Sequence, residues 1–303
     1  MRLLLTGDWH ITDKTPQNRI DNYWETCKHK ISFILEFANK ENISYILQPG
    51  DFTDSPLMAW STFIELTNLF NNYPNVKILT VFGQHDLKYR AKGNTTLDAI
   101  VATCKNIIIS KRIFLPSKEQ NVSLYCSSYD EEVPKIISKD ETFGILLIHK
   151  MVIQNKLWAS QTEYVQGFNF VKANKFPLII SGDNHQSFII NLKSAKKYLF
   201  NCGSLLRSKI DQINHKPFII IFDTETRQYE QIMIPIEPAE KIFALEKTSK
   251  EKELNENLMA FISGLSEHKE VGLKFEDNLN FYMNENNVKQ EIRELINEAK
   301  VEG

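Results

Sequence analysis

Carboxylate, imidazole and amide side chains recur directly after apolar segments in the first two thirds of the chain. Four of the five apolar segments are followed by a glycine and then by one of these residues. The residues of this set are Asp8, His10, Asp51, Gln84, His85, Asp86, His149, Asp183 and His185. They include four of the seven histidines, and so many ionisable groups buried without partners would cost much free energy. A shared metal cluster satisfies them all, so the pattern predicts a metal centre.

The donor types restrict the metal. Mixed carboxylate and imidazole ligands suit manganese, iron or zinc better than calcium, and the lack of cysteine ligands argues against a structural zinc site. Two such ions, bridged by a carboxylate, are the usual arrangement for cleaving a phosphate ester. We therefore expect two divalent ions, manganese before magnesium, iron or zinc.

Short apolar strands and amphipathic helices must position these residues. Strands are predicted at residues 3–6, 43–47, 76–82, 122–126, 144–148, 178–181, 188–192, 198–201 and 218–222, and helical faces at 20–38 and 60–70. Alternating strands and helices indicate a largely parallel sheet, and the strand-rich second half suggests a second sheet packed on the first. The predicted class is α/β, a two-sheet sandwich. In open α/β sheets, ligands bind beyond the carboxyl ends of strands, where the candidate residues lie.

The character of the sequence changes near residues 235–238. We predict a catalytic domain over residues 1–223, a short cap remnant or linker over 224–246, and a helical extension over 247–303. Within the extension, apolar residues recur at helical spacing at 254–265 and 288–299. Two such helices either pack back on their own domain or dock on a partner helix.

Composition excludes some classes. The 303 residues include 36 basic and 38 acidic side chains, a formal net charge of −2, which argues against nucleic-acid binding by bulk positive charge but leaves a local basic patch open. The four cysteines are scattered, which fits free thiols in a reducing compartment. No signal peptide or membrane span is apparent. We expect a soluble, cytoplasmic protein with no membrane association.

The candidate residues form ordered blocks between Asp8 and His185. D-x-H, G-D, a G-N-H-D-like block, a lone His and a G-H-x-H-like block follow one another. In this order they resemble the signature of calcineurin-like metallophosphoesterases. The resemblance implies an αββα sandwich, with one metal held by Asp8, His10, Asp51 and His185, and a second held by Asp51, Gln84, His149 and Asp183.

Two residues depart from the family pattern, and both fall on the second metal. Gln84 stands where the family has Asn, and Asp183 stands where it has His. The amide oxygen is kept, and an anionic oxygen replaces a neutral nitrogen. The second site becomes harder and more negative, which favours manganese or magnesium over zinc.

The resemblance also gives His85 a role as the non-ligand histidine that touches the scissile phosphate. Asp86 could orient its ring, so that an imidazolium donates a proton to the leaving oxygen. The alternative for Asp86 is a turn residue that hydrogen-bonds the backbone. A hydroxide on the metals would be the nucleophile.

Within the superfamily, the opening block around Asp8 and the Gly203-Ser204 block resemble the SbcD-type nuclease subunits of double-strand-break repair, in a compact phage-like form. Cys202 replaces their proline. The resemblance implies a DNA exonuclease or endonuclease that acts with a coiled-coil, SMC-like ATPase in recombination, repair or replication, the ATPase being bound by the C-terminal helices. The candidate substrate-binding residues are Lys88, Arg90, Ser204 and Arg207; the alternative for Ser204 and Arg207 is a plain turn and a surface arginine.

The sequence leaves two other functions open. A phosphatase or cyclic-nucleotide phosphodiesterase for small substrates fits the near-neutral charge. A weakly catalytic scaffold that binds DNA and the ATPase fits the altered second metal site. Whether two copies of the chain pair as a homodimer is also open.

Overall fold

The computed structural model describes residues 1–117, 120–136, 143–157, 161–245 and 275–301. The chain divides into two compact units, Met1–Ile242 and Phe243–Gly303. None of the described helices has the length and apolar character needed to cross a bilayer.

Strands and helices alternate in the first half of the first unit, and strands predominate in its second half. The strands are β1 (Arg2–Leu5), β2 (Tyr45–Gln48), β3 (Lys77–Thr80), β4 (Ile107–Ile109), β5 (Arg112–Leu115), β6 (Val122–Ser127), β7 (Phe143–His149), β8 (Val152–Ile153), β9 (Val165–Gln166), β10 (Leu178–Gly182), β11 (Phe188–Leu192), β12 (Lys197–Asn201), β13 (Phe218–Asp223) and β14 (Tyr229–Met233). The helices are α1 (Tyr23–Lys40), α2 (Trp60–Asn71), α3 (Thr96–Thr103), α4 (Gly167–Ala173) and α5 (Ala239–Ile242).

The long strands form two sheets. The order of the first sheet is β14-β13-β1-β2-β3-β4, in which β1 to β4 are parallel and β13 and β14 are antiparallel additions. The order of the second sheet is β11-β12-β10-β7-β6-β5, with parallel inner strands and an antiparallel strand at each edge.

Side chains alternate between two cores because successive residues of a strand point to opposite faces. Leu3 and Leu5 of β1 pack with Ile145 and Leu147 of β7 in the core between the sheets. Leu4 faces the other way, into the core that includes buried residues of α1 and α2. The outer face of the second sheet packs with α4. The layers are helix, sheet, sheet and helix, and the predicted αββα sandwich is confirmed.

The predicted apolar face of α1 is largely the buried one, whereas that of α2 is not. The first helix begins after Asn22, whose side chain accepts the Glu25 N–H as an N-cap, and Ile20 lies before it, 60% exposed. In α2, the sequence pattern puts Trp60 and Ile64 on the apolar face, but both are exposed. The buried face of α2 is formed by Thr62, Leu66, Thr67 and Phe70.

Part of the predicted linker belongs to the first sheet. Strand β14 pairs with β13 along its whole length, from Phe218 opposite Met233 to Phe222 opposite Tyr229. Its residues are mostly exposed and polar, so β14 lacks the apolar alternation that identifies a strand in a sequence.

The described part of the second unit consists of α6 (Phe275–Glu285) and α7 (Gln290–Val301). Leu279 and Met283 of α6 pack with Val288 and Ile296 in a small apolar cluster. The predicted helix at 288–299 corresponds to α7, whereas the sequence pattern does not predict α6. The predicted helix at 254–265 lies outside the described residues.

Candidate metal centre

The carboxyl ends of five strands meet at one edge of the two sheets. Because β1, β2 and β3 are parallel neighbours, the turns that follow them bring Asp8, Asp51 and Gln84 side by side. From the second sheet, β7 ends at His149, and Asp183 follows its parallel neighbour β10. The structure therefore gathers the predicted ligand residues in one place.

The first predicted ligand set forms a tight cluster. Ligand atoms of Asp8, His10, Asp51 and His185 all lie within 4.8 Å of one another. The Nε2 atoms of His10 and His185 face each other at 2.9 Å. Two imidazoles and two buried carboxylates converging on one point are a donor set that fits a divalent transition metal.

The second predicted set adjoins the first. His149 Nε2 lies 2.7 Å from Gln84 Oε1 and 3.4 Å from Asp51 Oδ2. Gln84 Nε2 donates to Asp183 Oδ1 at 2.8 Å. On its other side, His149 Nδ1 lies 2.8 Å from the Pro49 carbonyl oxygen, a contact that fixes the ring orientation and turns Nε2 toward the cluster.

The backbone is strained where it delivers these ligands. His10, Asp51 and Asp183 have φ angles of 47°, 46° and 75°, in the left-handed region that residues other than glycine seldom adopt. Gly83 is required for a different reason, since a Cβ there would overlap Asp51 Oδ1 and the Asp51 backbone nitrogen. Strain of this kind concentrates at functional sites, where the surrounding structure enforces it.

The buried carboxylates carry unsatisfied acceptor atoms. Asp8 Oδ1 and Asp51 Oδ2 have no hydrogen-bond partner within the described part of the chain. Burial raises the pKa of Asp8. Burial opposes protonation of His149, but the charges of Asp51 and Asp8 outweigh it and raise its pKa to about 10. These residues fit a divalent cation, which would satisfy the orphaned oxygens and offset their negative charge.

His85 lies at the rim of the cluster. Its ring is 4.8 Å from the His10 ring and 41% of its side chain is exposed. Its backbone N–H donates to Asp51 Oδ1 at 2.9 Å, and its Nδ1 is 3.0 Å from the Asp54 carbonyl oxygen. Nε2 is thereby the ring nitrogen left for a ligand.

Asp54 is a site residue that the sequence analysis missed. Besides its carbonyl contact with His85, its Oδ1 lies 3.4 Å from His10 Nδ1 and 3.8 Å from His85 Nδ1. The close approach of the His10 ring lowers the pKa of Asp54, so its carboxylate stays negative beside both rings. Its signal in the sequence is its position three residues after Asp51.

The contacts of Asp86 match the alternative interpretation, a turn residue that hydrogen-bonds the backbone. The Asp86 carboxylate is buried and accepts hydrogen bonds from the backbone N–H groups of Phe52, Thr53 and Gly83 at 2.8–3.1 Å. Burial and the charge of Asp51 raise its pKa to about 6. Asp86 therefore ties together the two turns that deliver Asp51 and His85, and the orientation of His85 comes from Asp54.

Ser204 and Arg207, which were predicted to bind substrate, donate hydrogen bonds to backbone carbonyl oxygens. Ser204 is buried and its Oγ donates to the Leu206 carbonyl oxygen at 2.8 Å. Arg207 donates to the carbonyl oxygens of Ile213 and Glu237, and it lines a separate cavity of about 190 Å³.

Lys88 and Arg90 follow the His85 turn. Lys88 Nζ lies over the Tyr89 ring, 5.9 Å from its centroid, and Arg90 is exposed. The contacts of all four predicted substrate-binding residues with DNA stay predictions.

Two clefts adjoin the metal centre and share Gln84, Met151 and Asp183. The first, about 470 Å³, is also lined by His85, His185 and Lys209. The second, about 500 Å³, is also lined by His149, Lys150 and Tyr164. A phosphate at the cluster would therefore have room for one substituent in each cleft.

Comparisons with known proteins identify the family of the chain. The sequence model of the calcineurin-like phosphoesterase family matches residues 1–187, and no curated protein sequence matches the chain. Among solved structures, an archaeal phosphodiesterase is 16% identical, with a TM-score of 0.42, covering 77% of this chain and 99% of that one. A dimetal phosphatase from Danio rerio is 8% identical, with a TM-score of 0.43, covering 78% of this chain and 99% of that one. On the family match, the chain belongs to the calcineurin-like phosphoesterases and is a metal-dependent hydrolase of phosphate esters.

Proposed function

We propose that the chain is a metal-dependent DNA nuclease that hydrolyses phosphodiester bonds, acting with a coiled-coil, SMC-like ATPase in recombination, repair or replication. The observation that carries the choice of a diester is the pair of clefts that meet at Gln84 and Asp183. A diester has a substituent on both sides of its phosphate, whereas a monoester would leave one cleft unused. Lys209 adds a positive side chain to the first cleft.

The residues of the chain divide the reaction between them. Two divalent ions held by the Asp, His and Gln cluster would supply positive charge that polarises the phosphoryl group and acidifies a water molecule. His85 presents Nε2 at the rim and can donate a proton to the leaving oxygen. Asp54 holds the His85 ring through its contacts with Nδ1. Since His85 lines the first cleft, the leaving group is assigned to that cleft.

We propose manganese as the native metal, because Asp183 and Gln84 give the second ligand set oxygen donors beside a single imidazole, that of His149. The measurement is turnover with Mn²⁺, Mg²⁺ and Zn²⁺ after removal of bound metal. A marked preference for Zn²⁺ would contradict the assignment.

The first experiment compares DNA with a phosphomonoester. The purified chain with Mn²⁺ should cleave single- or double-stranded DNA and turn over p-nitrophenyl phosphate poorly, and Asp51→Ala should abolish cleavage. Monoester turnover without DNA cleavage would instead indicate a small-substrate phosphatase. Inactivity toward both substrates, including in the presence of the ATPase, would indicate the scaffold.

Dependence on the leaving group tests the role of His85. His85→Ala should slow DNA cleavage by roughly 10²- to 10⁴-fold, the usual contribution of a general acid. Hydrolysis of bis(p-nitrophenyl) phosphate should fall much less, because p-nitrophenolate leaves without a proton. His29→Ala, which removes an exposed histidine of α1, is the matched control. Equal losses on both substrates would refute the assignment of a leaving-group acid.

We also propose that α7 contributes to binding of the ATPase. Leu295 is an apolar residue of α7 that is 42% exposed, whereas Ile292 is buried. Leu295→Asp should therefore weaken copurification with the coiled-coil ATPase without unfolding the helix, and Glu291→Ala on the same helix should not. Unchanged copurification of Leu295→Asp would exclude this face.

A further inference from the structure

The second cleft contains a buried amide donor without a partner. Gln161 is 2% exposed and lines this cleft. Its Oε1 accepts the Leu157 backbone N–H at 2.9 Å, which fixes which end of the amide is the oxygen. Its Nε2 has no hydrogen-bond partner among the residues that the structure describes. A buried donor without a hydrogen bond costs free energy, so binding of a ligand that accepts a hydrogen bond from it would be favoured.

Two aromatic rings line the same cleft. Tyr129 and Tyr164 are both partly exposed, and the Tyr129 ring lies 6.4 Å from the ring of the predicted ligand His149. Aromatic side chains of this kind bind nucleobases by stacking. A nucleobase also has carbonyl oxygens and ring nitrogens along its edge, which accept hydrogen bonds.

The charges of the second cleft favour an uncharged group over a second phosphate. Asp130 and Glu163 line it together with Lys150, so one basic side chain faces two acidic ones, beside the carboxylate of Asp183. The first cleft, which shares Asp183, has Lys209 and Asp211 and also includes the proposed leaving-group acid His85, which does not line the second cleft. Because His85 assigns the leaving group to the first cleft, the second cleft is on the side of the phosphate that keeps its ester bond.

We propose that the second cleft binds the nucleoside on the retained side of the scissile phosphate. Its base would stack on Tyr129 or Tyr164 and accept a hydrogen bond from Gln161 Nε2. This inference rests on the proposed hydrolysis of nucleic-acid diesters and deepens it, because it assigns the part of the substrate that each cleft recognises.

Diesters that share one leaving group test the subsite. Thymidine p-nitrophenyl phosphates, linked through the 5′ or the 3′ oxygen, differ from methyl p-nitrophenyl phosphate only in the retained group. The chain should hydrolyse one of the thymidine esters with a higher kcat/KM than the methyl ester. Gln161→Met should reduce this preference roughly 3- to 10-fold, the value of one hydrogen bond. Tyr164→Leu should reduce it roughly tenfold, whereas Tyr164→Phe should retain it.

The controls separate recognition from a structural role. Gln154→Met makes the same chemical change at an exposed position and should leave both esters unaffected. An unchanged preference in both Gln161→Met and Tyr164→Leu would overturn the proposal. So would equal losses on the thymidine and methyl esters, because a lost fold or metal site affects both alike.

Binding gives a second readout that needs no turnover. Thymidine 5′-monophosphate, titrated by calorimetry, should bind the wild-type chain and bind Gln161→Met more weakly by a similar factor. Equal binding to both proteins would overturn the subsite. If none of the diesters is hydrolysed, the proposed function fails, whereas weaker binding to Gln161→Met would still support the nucleoside subsite.

Discussion

Lys30 is a buried lysine of α1 whose Nζ donates a hydrogen bond to the Leu205 carbonyl oxygen at 2.8 Å. Its residue exposure is 6%. Burial, followed by the charges of Arg207 and Arg19, lowers its pKa from 10.5 to about 7. A difference of this size corresponds to about 5 kcal/mol between the two protonation states. At pH values below about 7, Lys30 is protonated in both states, and the whole of this energy destabilises the folded protein.

Lys30→Met removes the charge and keeps most of the side-chain length. It also leaves the Leu205 carbonyl oxygen without its donor, which costs about 1–3 kcal/mol. We therefore expect the free energy of unfolding at about pH 6 to rise by roughly 2–4 kcal/mol, the difference between the two effects. The stability of the wild-type chain should increase from pH 7 toward 10.5, because there the unfolded chain binds the proton that the folded chain has released. The advantage of the variant should therefore shrink as the pH rises.

Urea denaturation at about pH 6 and about pH 9 measures both expectations, provided that unfolding is two-state at each pH. Lys40→Met, an exposed lysine at the end of the same helix, is the control and should change stability by less than about 0.5 kcal/mol. A variant that is less stable than the wild-type chain by the same amount at both pH values would refute the reasoning, because it would show that the charge of Lys30 carries no penalty.

Other predictions concern the metal centre. Asp54→Ala should lower the rate of DNA cleavage roughly tenfold, the loss of about 1.4 kcal/mol of transition-state stabilisation, and affect p-nitrophenyl diesters less, because it acts through His85. Gly83→Ala should abolish Mn²⁺ binding in calorimetry, because its Cβ overlaps Asp51. Asp86→Ala should lower the free energy of unfolding by roughly 3 kcal/mol in urea, because it leaves backbone donors unpaired. Mn²⁺ at about 100 times its Kd should stabilise the wild-type chain by about 2.7 kcal/mol, and EDTA should reverse this.

Each of these four predictions would be contradicted by a specific result. Equal losses on DNA and on p-nitrophenyl diesters would show that Asp54 acts on the metal centre rather than on His85. Normal Mn²⁺ binding by Gly83→Ala would mean that the turn yields without moving its ligand. A stable but inactive Asp86→Ala would return the predicted catalytic role to Asp86. A melting temperature that is insensitive to Mn²⁺ would contradict a cation at the cluster.

The sheets and the gathering of the metal-ligand candidates could be predicted from the sequence because the two patterns reinforce each other. Each candidate follows an apolar run, and parallel strands bring such positions to one edge. Roles that depend on the path of a loop could not be predicted in this way. Asp54 and Asp86 are both acidic residues near the centre, and the turns between β2, β3 and their helices decide which of them meets His85.

Arg207 shows the same limit. A glycine, a serine and a nearby arginine suggest phosphate binding, but the guanidinium is directed to backbone carbonyls away from the clefts. Gln161 has no signal at all, because a single glutamine in a loop has no periodicity or spacing from which burial could be inferred. Strand β14 could not be predicted either, because an exposed edge strand has no apolar face and so no alternating pattern in its sequence.

The first strand of the chain lies inside its sheet, between β2 and a strand that ends at Asp223. Asp8 likewise forms a β-bridge with Ser204. The first predicted ligand in the sequence is therefore held in place by residues near the end of the first unit. Contacts between such distant segments form late, because the closure of long loops must precede them. During synthesis, one edge of β1 would stay unpaired until β13 has been made. The metal site can therefore reach its final form only after nearly the whole first unit has left the ribosome. A chain truncated before residue 218 would retain all of the predicted ligands but lack β13, the strand that pairs with the free edge of β1.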